Sequence, residues 1–149
     1  MRKAVSEDPR ARAWALFLTT HRRLTESVEA ALAAAELPPL AWYDVLWELE
    51  KAEEGRLRMH ELAERVVITR SNLTRLVDRL ESAGLISRQR CAEDGRGAHA
   101  ALTAAGRAMR KRMWPVYSAQ IDASFSSQLT KADGRLLVAT FGKLLAAKL

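Results

Sequence analysis

The chain has 149 residues, enough for one compact domain with helical extensions, and 48% of them are apolar, so it can build a real core. A formal net charge of +6 favours a polyanionic partner. The single cysteine, Cys91, excludes an intramolecular disulfide and fits a reducing compartment. No run approaches the ~18 apolar residues of a membrane span, and the first residues lack the apolar stretch of a secretory signal. The expected location is the cytoplasm.

Asp8-Pro9 reads as a helix start, an acidic cap before a proline at the first helical position. Trp14, Phe17, Leu18, His21, Leu24, Val28 and Leu32 then recur at helical spacing, until Leu37-Pro38-Pro39 stops the helix. A second helix is expected from Leu40 to Glu53, with Trp42, Val45, Leu46 and Leu49 inward and Glu54-Gly55 as its end. Met59, Leu62, Ala63 and Val66 mark a short third helix. The fourth spans Arg70 to Ser82 behind the cap Thr69, with a narrow stripe of Leu73, Leu76, Val77 and Leu80 and a stop at Gly84.

After Gly84 the period changes. Leu85 to Arg90 reads as a strand and Ala98 to Leu102 as a weaker one, joined by Cys91-Ala-Glu-Asp-Gly-Arg-Gly97, whose glycines suit a hairpin. Thr103 caps a long fifth helix reaching Phe125, in which Pro115 should produce a kink. Thr130 with Asp133 forms a capping box for a last helix carrying Leu136, Leu137, Val138, Phe141, Leu144 and Leu145.

Helix, short helix, turn, amphipathic helix and hairpin is the order of a winged helix-turn-helix. The fold class expected is mainly α with a small β-hairpin wing, extended by a helical dimerisation region. The expected division is an N-terminal dimerisation helix over 1–37, a DNA-binding domain over 38–103 and C-terminal dimerisation helices over 104–149.

Charge supports this order. From Thr69 to Arg112 there are ten basic against four acidic residues, whereas Glu36 to Ile68 holds four basic against eight acidic. The fourth helix turns Arg70, Ser71, Asn72, Thr74, Arg75 and Arg79 away from its leucines. Arginine and asparagine pair bidentately with guanine and adenine edges, and hydroxyls suit phosphates. Arg96, flanked by Gly95 and Gly97 at the hairpin tip, is placed to enter a minor groove. Each such arginine taken alone reads equally well as a solvated surface charge; order, turns and charge together favour the DNA reading.

The stretches Leu57 to Arg65, Ile68 to Arg88, Asp94-Gly-Arg96 and Ala101-Leu-Thr103 resemble the MarR family, the multiple antibiotic resistance regulators. The resemblance covers nearly the whole chain. It implies an obligate homodimer on a pseudo-palindromic DNA operator and a ligand-responsive cleft between the dimer helices and the reading domain. It also implies that Arg96 is the wing's minor-groove residue and Asp94 its orienting partner. The wing tip is less basic than many in the family.

Dimerisation is expected independently, because the last helix is apolar over more than one narrow stripe and such a patch needs a partner. Trp14, His21, Trp42, Tyr43, Trp47 and Trp114, with Tyr117, give the N-terminal, second and fifth helices an aromatic lining, a candidate pocket for a small aromatic or amphiphilic effector. The plainer reading is that aromatics at helical spacing are core. Cys91 near Arg88 and Arg90 suits a sensing thiol, but the family's peroxide sensors carry theirs near the N-terminal helix, so it reads as incidental. His60 and His99 lack metal-ligand spacing with each other or with Cys91. No catalytic constellation is recognisable, and no cofactor or metal is expected.

The reading is a sequence-specific DNA-binding regulator, a homodimeric repressor modulated by a small molecule. The alternatives are a DNA binder without a small-molecule site and a winged-helix protein-interaction module, since fold does not fix function.

Overall fold

A computed structural model describes residues 8–66, 70–90 and 97–147. Six α-helices and three short strands follow in the order α1 (Pro9–Ala34), α2 (Leu40–Lys51), β1 (Arg56–Arg58), α3 (Met59–Arg65), α4 (Arg70–Ser82), β2 (Ile86–Arg90), β3 (Ala98–Leu102), α5 (Ala104–Ser124) and α6 (Lys131–Ala146). The chain divides into two units. One combines residues 1–31 with 117–149, and the other is residues 32–116. Helix α5 contributes to both.

Within residues 32–116, a core of Val45, Leu46, Leu49, Leu57, Leu62, Val66, Leu73, Leu76, Val77, Leu80, Leu85, Ile86 and Ala100 is assembled from α2, α3, α4, the three strands and the turns beside them. Three positions on α2, the single inward residue of β1 and the whole apolar stripe of α4 meet there, so each amphipathic element buries the face its sequence marks. Trp42, Met59, Ala63 and Met109 pack around it, half-buried.

Strand β1 was not anticipated. It pairs antiparallel with β3, Leu57 opposite Ala100, and β3 pairs with β2, giving a sheet of order β1-β3-β2. Leu85, expected to open the strand that runs to Arg90, instead lies buried in the turn before β2. Helix α2 ends at Lys51 rather than Glu53, because Ala52 is extended and Glu53–Gly55 make a 3₁₀ turn with Glu54 and Gly55 at positive φ. Helix α5 runs on through Pro115 and ends at Ser124.

The end of α4 shows why a glycine stands at position 84. Its φ of 73° lies in the left-handed region. The Leu85 N–H there donates to Leu80 O at 3.0 Å and the Gly84 N–H to Glu81 O at 2.9 Å, closing a Schellman turn. The same corner carries the start of α5. Thr103 Oγ1 donates to Gly84 O at 2.7 Å and accepts from the Gly106 N–H at 3.0 Å. A Cβ on Gly106 would stand 2.0 Å from Leu85 O, so only glycine lets α5 approach the corner this closely.

In the other unit, Phe17 of α1 meets Phe141 of α6 at 5.8 Å between ring centroids, and Gln120 of α5 hydrogen-bonds Ser27 of α1. Helix α6 starts on the expected capping box. The Asp133 N–H donates to Thr130 Oγ1 at 3.2 Å and the Thr130 N–H to Asp133 Oδ2 at 2.9 Å. The Thr130 hydroxyl, then its N–H, hold the Asp133 carboxyl below the usual carboxylate range. No residue of α6 is buried within the chain.

Candidate nucleic-acid interface

The reading helix α4 is set by what precedes and follows it. Helix α3 starts where the Arg58 N–H donates to Glu61 Oε2 at 2.8 Å, a bond that holds the Glu61 carboxyl below its usual range. Leu62 and Val66 of this helical segment enter the core beside Leu73 and Leu76 of α4. With its stripe so anchored, α4 exposes Ser71, Asn72, Thr74, Arg75 and Arg79 on the opposite side. Arg70 is the first residue of that helix. Asp94 and Arg96, with Thr69 and Cys91, lie outside the described residues.

Two acids interrupt the basic character of α4, Asp78 and Glu81. Both are engaged by Arg88 of β2. Its guanidinium pairs with Asp78 and stands 3.8 Å from Glu81 Oε2, while its backbone N–H donates to Glu81 Oε1 at 3.1 Å. In the sequence Arg88 shows as a strand residue near Cys91 and not as a partner of α4, because a partner ten residues away across a strand turn leaves no periodic signal.

The six aromatic candidates are distributed over both units. Trp14 stacks on Phe17 at 6.0 Å, and Phe17 leads on to His21 at 6.3 Å, with Trp14 and His21 both exposed. In the other unit Trp42 packs against the core, buried Tyr43 stacks on Trp114 at 6.0 Å, and the Trp47 ring lies under Lys51 Nζ at 5.5 Å and Arg110 Cζ at 5.1 Å. Glu50, unforeseen as a partner, ties α2 to α5 by accepting from Arg107 Nη1 at 3.0 Å and pairing with Arg110. Beside β1 an open groove of about 530 Å³ is lined by Lys51, Glu53, Glu54, Arg56, Glu61 and His99 among others, and includes none of the six. Among the described residues no cluster of His, Cys, Asp or Glu is arranged to hold a metal. No described helix is long and apolar enough to cross a membrane.

A helix-turn-helix with a three-stranded sheet behind it, presenting Arg75 and Arg79 on the open side of its second helix, defines the winged helix-turn-helix class. Residues 37–97 match the sequence profile of the MarR family. The HTH-type transcriptional repressor IacR of Pseudomonas putida is 30% identical over 128 residues, covering 83% of this chain and 74% of that protein. The HTH-type transcriptional regulator YkoM of Bacillus subtilis is 25% identical over 84 residues, and the match spans 54% of its length. Sco3205, a MarR family transcriptional regulator from Streptomyces coelicolor solved in complex with DNA, superposes with a TM-score of 0.86 at 28% identity, covering 97% of this chain and 89% of that one. The chain belongs to the MarR family of transcriptional regulators.

Proposed function

We propose that the protein is a cytoplasmic, homodimeric repressor that binds a pseudo-palindromic operator in double-stranded DNA through α4 and the wing. The observation that carries this reading is the outward face of α4, where Arg75 and Arg79 stand exposed with Ser71, Asn72 and Thr74 while the helix's two carboxylates are occupied by Arg88. Arginine and asparagine there would read base edges, hydroxyls and Arg70 would take phosphates, and Arg96 of the wing, oriented by Asp94, would enter the adjacent minor groove. The DNA complex of Sco3205 supports the same use of the fold, and the name of IacR supports repression.

The dimer follows from apolar surface. Trp14, Leu16 and Leu18 of α1 and Leu136, Val138, Leu144 and Leu145 of α6 are between 47% and 87% exposed in the single chain, and surface of this kind is kept only where a partner covers it. On this reading the outer helices, 1–37 and 104–149, serve dimerisation and 38–103 serve DNA. The Tyr43–Trp114 stack and the cation-flanked Trp47, with Trp42 beside them on α2, support an effector that is a small aromatic or amphiphile.

The test is a fluorescence-anisotropy titration with genomic fragments from regulatory regions and a scrambled duplex, at several salt concentrations. The expected result is tight, salt-sensitive binding to selected fragments and much weaker binding to the scrambled duplex. Binding that ignores sequence and salt alike would favour the protein-interaction module instead. A melting-temperature screen with aromatic acids tests the effector, since a ligand of the folded state must raise the midpoint.

A further inference from the structure

The triad formed by Arg88 with Asp78 and Glu81 goes beyond the family assignment. The inference drawn from it rests on the DNA-binding reading. Strand β2 is anchored at its start, where Ile86 is buried, but from Arg88 to Arg90 its residues are exposed. At the point where it leaves the core, Arg88 reaches back to α4 with its side chain and its backbone together. A guanidinium is a rigid planar fork that can serve two carboxylates at once, which an ammonium cannot do with fixed geometry. The side chain of Arg88 is 32% exposed and those of Asp78 and Glu81 are 54% and 41%, so the arrangement adds little to global stability. Its consequences are local: it fixes the outer half of β2 against the reading helix and it cancels two negative charges on the helix that must approach phosphates.

We propose that Arg88 is a positioning residue for DNA binding, a clamp that sets the wing strand against α4 by bridging Asp78 and Glu81. It need not touch DNA itself. Without the clamp, the outer half of β2 would be less fixed against α4, and each wing contact would carry the entropy of fixing that strand on binding.

The discriminating variant leaves Arg88 in place and removes its partners, Asp78→Asn with Glu81→Gln. Simple electrostatics says that deleting two carboxylates beside a polyanion tightens binding and leaves the salt dependence no weaker. The clamp predicts the opposite sign. Affinity for a selected duplex should fall about tenfold, and the slope of log affinity against log salt should become shallower by roughly one contact. Arg88→Met should show the same loss, Arg88→Lys an intermediate one, and combining Arg88→Met with the double variant should add little, because all three act on one unit. Asp78→Asn alone, at an exposed position, should move affinity in the same direction by less and serves if the double variant folds poorly. A wild-type protein that binds the duplex while the double variant binds it equally well or more tightly overturns the clamp. A wild-type protein that binds no duplex overturns the DNA reading and the clamp with it.

Discussion

The two units solve the burial of apolar residues differently. Residues 32–116 fold their leucines and valines into a shared core in which Val45, Leu46, Leu49, Leu62, Val77 and Leu80 have no exposure at all. In the unit made of residues 1–31 and 117–149, Val28 is the one buried apolar residue among those described, while Trp14, Leu16, Phe17, Leu18, Leu136, Val138, Phe141, Leu144 and Leu145 face outward. The first unit therefore satisfies itself, and the second carries hydrophobic surface whose free energy is recovered only against something else. On the dimer reading proposed above, a second copy of the same chain would supply a matching face by symmetry. Stability of the reading unit should then be intrinsic, whereas the outer helices should depend on protein concentration.

The largest expected effect separates these modes directly. Leu136→Glu with Leu144→Glu places charge on the exposed face of α6 without touching any buried residue. Light scattering should move from twice 16.6 kDa to 16.6 kDa, and operator binding should weaken to that of one half-site. A wild-type chain that is already a stable folded monomer at micromolar concentration would remove the comparison's second half.

Leu46→Ala should act through the core instead. A fully buried leucine truncated to alanine costs about 2–5 kcal/mol, read as a lower denaturation midpoint in the absence of DNA. Arg75→Ala, on the open side of α4, should cost about 1–3 kcal/mol in binding to a specific site, with little change in melting temperature. Equal losses on specific and random DNA would show that Arg75 contacts phosphate alone.

The smallest effect is a pH dependence in the outer unit. Because the folded Asp133 carboxyl is held below its usual range, its contribution to stability is present above the ordinary carboxylate pKa and is lost as pH falls through the depressed value. Acidification between about pH 5 and pH 2 should therefore destabilise wild type more than Asp133→Asn, as followed by thermal melts. Identical slopes would mean that the capping box does not hold in solution.

Much of this architecture was legible before any coordinates. The α4 stripe shows through because Leu73, Leu76, Val77 and Leu80 repeat at helical spacing on one side of a polar helix, and its end shows through because Gly84 follows. The capping box at Thr130 and Asp133 is local in the same way. What escaped was non-local. Strand β1 is Arg-Leu-Arg, three residues with one apolar side chain, and it exists because β3 pairs with it 43 positions later in register. Glu50 finds Arg107 and Arg110 across nearly sixty residues, and Arg88 finds Asp78 across a strand turn. Leu37-Pro38-Pro39 marks the end of α1 in the sequence, yet the turn itself is closed by Glu36 at a φ of 55°, where the Leu37 N–H donates to Leu32 O at 2.9 Å. A glutamate there costs about 1 kcal/mol or more relative to glycine, and no residue type announces it.

If a dimer presents two copies of α4 to one face of a duplex, selection of bound sites from random DNA shows it most directly. The predicted result is an inverted repeat whose half-sites lie about one helical turn apart, 10–10.5 base pairs or a multiple, because two-fold symmetry of the protein must be mirrored in the site. Enrichment of a single unrepeated half-site, or no enrichment at all, would contradict it.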